Sequence, residues 1–211
     1  MSSSLLLLLL SGLALNFALT ATAVTGGLTI GLVLALMRLS EKRIVSMVAK
    51  AYINLFRSLP LVLILFWFYI LVPVLTGHPV GAVYSAFIAF TVFEAAYFAE
   101  IIRAGINSVG RNQFSAALSV GMTPLEAWRR VVLPQALRNV VPTILTQSII
   151  LFQDTSLVYV LGLREFLTTA DSIAQRDGRI VEMYGISAMA FLVICTSGAA
   201  LVERLKKGLA L

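Results

Sequence analysis

The sequence predicts an all-α, polytopic membrane protein with about five transmembrane helices, forming a single domain over residues 1–211. Three observations carry that expectation. Apolar residues make up 59% of the chain and charged residues only 12%, about half the charge of an ordinary soluble domain. The apolar residues are gathered in long segments rather than dispersed. The basic residues cluster at alternate ends of those segments, as the positive-inside rule requires of a multi-pass chain. The net charge of +6 is then a membrane-surface bias, and a nucleic-acid footprint is not needed to explain it. The single cysteine, Cys195, excludes an intramolecular disulfide framework and a multi-cysteine metal cage. In an apolar segment it packs as a small hydrophobe.

From Ser2 to Met37 no residue is charged, which exceeds the roughly 20 residues that cross the hydrocarbon. The first span is placed at Leu13 to Met37, preceded by Leu5 to Leu10. Gly26, Gly27, Gly31 and Ala35 permit close helix packing there. Met1 to Ser4 lacks the positive region of a cleaved secretion signal. The second span runs from Ala51 to Leu75, the third from Val80 to Ile102, the fourth from Val140 to Leu161 and the fifth from Met183 to Val202. Pro60, Pro73 and Pro142 are tolerated because neighbouring groups and local distortion satisfy the freed carbonyls. A short turn at Thr76 to Pro79 and two longer loops, Arg103 to Asn139 and Gly162 to Glu182, complete the chain.

Orientation follows from the flanks. Arg38, Lys42, Arg43, Lys50 and Arg57 follow the first span; Arg103, Arg111, Arg129, Arg130 and Arg138 follow the third; Arg204, Lys206 and Lys207 follow the fifth. The turn at Thr76 has no Lys or Arg, and the last loop offsets Arg164, Arg176 and Arg179 with Glu165, Asp171, Asp177 and Glu182. An outside N-terminus and a cytoplasmic C-terminus are expected.

The segment 103–139 reads as a folded cytoplasmic loop within the domain. Gln113 to Val120 can form a short helix ended by Gly121. Thr123 then caps a second helix with Pro124 at its first position and Glu126 closing a capping box, ahead of Ala127 to Leu133. Pro134 is expected to break that helix. The result is either an ordinary surface hairpin or a rigid projection that receives force from another subunit.

Chemistry is sparse. No Gly-rich phosphate loop followed by Lys-Ser/Thr is present, so the chain is not expected to be an enzyme or to hydrolyse ATP. His78, between Gly77 and Pro79, reads as a turn residue, and no metal site is expected. Glu94 and Asp154 stand out because an ionisable residue at membrane depth is costly. Tyr97 and Ile101 share a helical face with Glu94, and Gln147 and Ile150 share one with Asp154. A solute path and a buried hydrogen-bond network both fit. Arg57, Gln153 and Thr155 could assist a path, although Arg57 also fits a positive-inside anchor.

In order along the chain, Met37-Arg38-Leu39-Ser40, Phe56-Arg57-Ser58-Leu59-Pro60, Glu94-Ala95-Ala96-Tyr97, Glu100-Ile101-Ile102-Arg103-Ala104-Gly105 and Ala116-Ala117 with Gly121, Leu133 and Pro134 resemble the permease subunits of bacterial ATP-binding-cassette importers for polar amino acids. Ser115 stands where that family usually has Glu. Gln153-Asp154-Thr155-Ser156-Leu157-Val158-Tyr159-Val160 and Arg176-Asp177-Gly178 are similar to the glutamate/aspartate members, although many relatives carry Lys at the position of Gln153.

The resemblance implies a binding-protein-dependent importer fold in the bacterial inner membrane, with a periplasmic N-terminus. It implies a coupling helix, Ser115 to Val120, seated in a groove of a cytoplasmic ATPase, with Ser115, Ala116, Ala117, Gly121, Glu126 and Pro134 as the coupling residues. Glu94, Tyr97, Gln147, Gln153, Asp154 and Thr155 become the candidate translocation path. The implied partners are two ATP-binding subunits that hold ATP and Mg, a second permease, related or identical, and a periplasmic solute-binding protein. No cofactor is expected on this chain. A non-transporting scaffold or sensor that docks a regulatory protein is the alternative.

Overall fold

A computed structural model describes residues 3–209, and the described secondary structure is entirely helical. The elements are α1 (Ser3–Leu39), α2 (Arg43–Arg57), α3 (Leu61–Phe66), α4 (Val72–Thr76), α5 (Ala82–Ser108), α6 (Arg111–Ser119), α7 (Pro124–Ala127), α8 (Leu133–Asp154), α9 (Phe166–Asp177) and α10 (Ile180–Leu209). A π-helical turn, Trp67–Leu71, joins α3 to α4; a second, Trp128–Val132, joins α7 to α8; a 3₁₀ stretch, Thr155–Leu161, follows α8. Four of the described helical stretches are long and apolar enough to cross a membrane, and a bent pair raises the count to five.

The bent pair corrects the expectation of one straight second span. α2 ends at Arg57, and Leu61–Thr76 leaves it at 105°. Pro60 is the cause: it sits at φ −62°, ψ 136°, and its ring disfavours helical backbone in the residue before it. Leu61–Thr76 spans only about 24 Å at 1.5 Å per residue, while α2 packs against α1 and α5. A second correction concerns Pro134, which does not break its helix. The Leu133 amide bonds the Trp128 carbonyl five residues back, and the Val72 amide bonds the Trp67 carbonyl in the same way. Each shift falls on the residue just before a proline, Pro134 or Pro73. The wider turn absorbs a proline that lacks an N–H and crowds the carbonyl four residues back.

α5 is the central helix, packed on α1, α2, α3 and α8. Its Ala86, Ala89, Phe90, Ala95, Ala96, Phe98 and Ala99 are fully buried. Small residues set the spacing against α1: a Cβ at Gly31 would stand 3.0 Å from the Ala95 oxygen and the Ala99 nitrogen, and one at Gly26 would stand 2.7 Å from Thr91 Cγ2. Ala35 is also fully buried. Backbones that approach this closely gain packing contacts, which drive helix association where no hydrophobic effect operates between helices.

Gly105 does the same between α5 and α8, where an added Cβ would collide with Val140 Cγ2. Gly105→Leu is expected to destabilise the bundle by about 1–3 kcal/mol through overpacking. Val140→Ala should recover part of the loss. Thermal unfolding of the detergent-purified single and double variants checks this, and additive losses would remove the contact from the account.

Candidate functional site

Glu94 lies on the buried face of α5 and is fully inaccessible. Gln147, from α8, donates its Nε2 amide to both carboxylate oxygens at 3.2 Å. A Cβ on Gly27 of α1 would come within 3.2 Å of the Glu94 Cβ, so the carboxyl sits where three helices meet. A charge there is tolerable only with hydrogen-bonding partners. Tyr97, one turn along α5, is within electrostatic reach of Glu94, Asp154 and Arg57. The Arg57 guanidinium lies over the Tyr97 ring, 5.4 Å from its centroid.

Towards the end of α5 the polar row continues. Arg103 donates Nε to Glu100 at 2.8 Å and an Nη at 2.5 Å, while Arg57 approaches the same carboxylate at 4.0 Å. Arg57 therefore joins the row as well as adding to the basic flank. Of the expected path residues, Glu94 and Gln147 bond each other, with Tyr97 and Asp154 within electrostatic reach. Gln153 is exposed and lines a separate cavity of about 350 Å³ with Ser156, Tyr184 and Ser187.

Thr155 is fully buried in another network. Its hydroxyl donates to the Phe152 carbonyl at 2.6 Å and accepts from Asn16 Nδ2 at 2.8 Å. Asn16 also donates to Glu165 Oε2 at 3.2 Å and accepts the Phe166 N–H at 3.1 Å. Glu165 caps α9 by accepting from Leu167 and Thr168 amides at 2.8 and 2.6 Å. One turn before Asn16, a Cβ on Gly12 would stand 2.7 Å from the Glu165 carbonyl carbon. α1 thus grips the corner where the 3₁₀ stretch turns into α9. Sequence reasoning missed Asn16 and Glu165. The signal was present: Asn16 is the sole amide side chain between Ser2 and Met37, and the argument that singles out Glu94 applies to it.

At the far end of α9, Arg176 grips Asp177 with two bonds of 2.7 and 3.1 Å. That bonding holds the Asp177 carboxyl below the usual carboxylate range. Gly178 closes the helix at φ 68°. The pair is solvent-exposed, so it shapes the turn more than it stabilises the fold.

The projection between α5 and α8 follows its punctuation closely. α6 ends in a Schellman motif: the Met122 amide bonds the Ala117 carbonyl at 3.2 Å and the Gly121 amide bonds the Leu118 carbonyl at 3.0 Å, with Gly121 at φ +88°. Thr123 and Glu126 form the capping box, with bonds of 3.3 and 3.0 Å. Ser115 and Ala116 are exposed, while Ala117 is 5% exposed on the inner face. Leu118, Val120 and Leu125 leave an apolar tip uncovered. Pro134 lies beyond the π turn, at the start of α8.

Glu94→Gln keeps the shape and an amide partner for Gln147, so it separates charge from packing. If the carboxylate serves the path, the variant should insert at normal abundance and lose about tenfold in uptake, since a charge-assisted hydrogen bond is roughly twice as strong as a neutral one. Uptake by proteoliposomes of matched protein content checks this. Normal uptake would remove Glu94 from the path chemistry.

Residues 27–210 match the family described as the binding-protein-dependent transport system inner membrane component. The chain is 49% identical over 206 residues to the glutamate/aspartate import permease protein GltK of Escherichia coli O6:H1 (strain CFT073), covering 94% of this chain and 92% of that one. It superimposes on the crystal structure of an amino acid ABC transporter with histidines at a TM-score of 0.89, with 34% identity, covering 95% of this chain and 93% of the other. The inward-facing MetNI methionine ABC transporter shares the fold, with a TM-score of 0.78 at 21% identity over 99% of both chains. With the buried polar row, the bent second span and the capped projection on one five-span bundle, the chain belongs to the family of binding-protein-dependent inner membrane components and is the permease subunit of an ATP-binding-cassette importer.

Proposed function

We propose that this permease carries glutamate and aspartate into the bacterial cytoplasm as half of a two-permease path. The buried Glu94–Gln147 pair, with Tyr97 and Asp154 within electrostatic reach, is the observation that carries a path along α5 and α8. The 49% identity to the glutamate/aspartate permease GltK supports the cargo. Two acidic residues would repel the cargo's carboxylates if both were ionised. A path for this cargo then needs compensating groups for those carboxylates, such as Arg57, side-chain amides or helix N-termini, or contact between an acidic residue and the solute's ammonium group.

The loop 103–139 is the coupling element in this reading. Ser115, Ala116, Ala117 and Gly121 present α6 to one of two ATPase subunits, with Glu126 and Pro134 fixing the second arm. ATP and Mg are held by those subunits. A second permease, related or identical, completes the path, and a periplasmic solute-binding protein delivers cargo. ATP binding draws the coupling helices together and favours the outward-facing cavity; hydrolysis restores the inward-facing state. Reconstitution with the candidate partners, followed by ATP-driven uptake against a panel of competing amino acids, tests the reading. Uptake that glutamate and aspartate fail to compete would overturn the cargo.

The orientation, N-terminus periplasmic and C-terminus cytoplasmic, has its own check. In a background with Cys195 replaced, Ser172→Cys should react with an impermeant thiol reagent in outer-membrane-permeabilised cells, and Gln113→Cys should be protected. Both positions are exposed on the chain. The reverse pattern would invert the topology.

A further inference from the structure

Between α1, α8 and α10 runs an apolar groove of about 270 Å³, bordered by Phe17, Ile149, Phe152, Cys195, Leu201 and Leu205. Phe17, Leu201 and Leu205 are exposed along it, so it opens on the outside of the bundle. From Ile194 to Leu205 along α10 it is about 16 Å long at 1.5 Å per residue, which matches one leaflet of a hydrocarbon core roughly 30 Å thick. The groove ends at Leu205, and Arg204, Lys206 and Lys207 follow at the same end, all exposed, with Glu203 as the one acid among them. One end of the groove therefore opens onto a net positive charge.

The groove also faces away from the polar row. At about 100° per residue, its α8 residues Leu145, Ser148, Ile149 and Phe152 centre about 160° around the helix from Gln147 and Asp154. The groove therefore lies on a different face of α8 from the residues proposed to line the path.

We propose that this groove is a binding site for one anionic phospholipid of the cytoplasmic leaflet, with an acyl chain along Ile194–Leu205 and its headgroup phosphate on Arg204 and Lys206, which flank the groove at Leu205. The leaflet rests on the orientation proposed above; the site itself does not depend on the cargo. A basic cluster at the surface attracts anionic lipid strongly enough to separate it from ordinary boundary contact, and an apolar groove of leaflet length fixes where the chain lies.

The test uses the complete importer in phosphatidylcholine nanodiscs carrying a trace of either phosphatidylglycerol or phosphatidylcholine with a photoreactive diazirine in the chain. After irradiation, labelled peptides are mapped by mass spectrometry. Phosphatidylglycerol should label the segments 145–152 and 194–205 about tenfold more than phosphatidylcholine at moderate salt, and unlabelled phosphatidylglycerol should compete. The combined variant Arg204→Gln, Lys206→Gln should bring the two lipids level. Separately, Ser148→Phe should fill the groove and abolish its labelling by both. Equal labelling of the unaltered protein by both lipids would reduce the groove to ordinary boundary contact. Unchanged preference in the double variant, or an unlabelled groove with copies crosslinked through Cys195, would also overturn the site. Labelling requires no transport, so a wrong cargo leaves this result untouched.

Discussion

Gly121→Val is expected to cut solute-stimulated ATP hydrolysis and uptake by about tenfold or more while membrane abundance stays near normal. The reason is confined to the backbone. Gly121 sits at φ +88°, and an added Cβ would meet nothing within 4 Å, so no packing is lost. The left-handed region costs an L-residue roughly 1–2 kcal/mol, and a β-branched side chain is a genuine outlier there. Valine must escape that cost by moving φ, which breaks the 3.2 Å Met122–Ala117 bond that ends α6 and re-aims the helix. Gly121→Asn, which tolerates the left-handed region, should retain most activity, and Gly121→Ala should fall between. Complex recovery and hydrolysis measured in the same membranes, with crosslinks from Ala117 to the ATPase, check the series. Equal activity of the valine and asparagine variants would exclude this turn as a geometrically demanding element.

Asn16→Leu is expected to lower stability by about 2–4 kcal/mol, from one to three kcal/mol for each buried polar group left unpaired. Leucine removes the donors to Thr155 and Glu165 and the acceptor for the Phe166 N–H together. That amide then has no side-chain partner, and Glu165 keeps only its α9 capping bonds. Asn16→Asp retains the shape but sets a second carboxylate against Glu165, so it should fare no better. A single interhelical hydrogen bond in a membrane averages only about 0.6 kcal/mol, and the larger figure applies because three bonds share one side chain. Thermal unfolding in nanodiscs and protease sensitivity at Leu163–Phe166 measure the effect. A loss below about 1 kcal/mol would mean that water replaces the amide and that the corner is not closed.

Much of the architecture was legible because membrane proteins obey few rules. Span number, the packing glycines of α1, and the capped projection from Gly121 through Glu126 follow from apolar length, small-residue spacing and local hydrogen-bond demand. Each of these is settled within a few residues of sequence. Proline positions were less readable. Pro60 and Pro134 both announce trouble for a helix, yet one produces a 105° bend and the other is absorbed by a π turn. The difference lies in whether a helical turn on the N-terminal side can widen or the chain instead turns extended, and the local residue types do not specify that.

Glu94 and Gln147 could each be placed on a helical face from their spacing, since periodicity assigns directions around an axis. Their mutual bond, 53 positions apart, required the close approach of α5 and α8 that Gly105 permits. Thr155 shows the same limit from the other side. Its neighbour Asp154 stays near the polar row, while Thr155 turns, about 100° around the chain, into the network of Asn16 and Glu165. The sequence by itself determined which segments are long and apolar enough to cross, apart from the bent second one, which glycines pack α1 and where the projection turns, because those depend on local length, size and backbone geometry. Only the tertiary structure decided which buried polar groups meet, because in a low-dielectric interior each must find a partner and that partner is chosen by helix packing rather than by position in the chain.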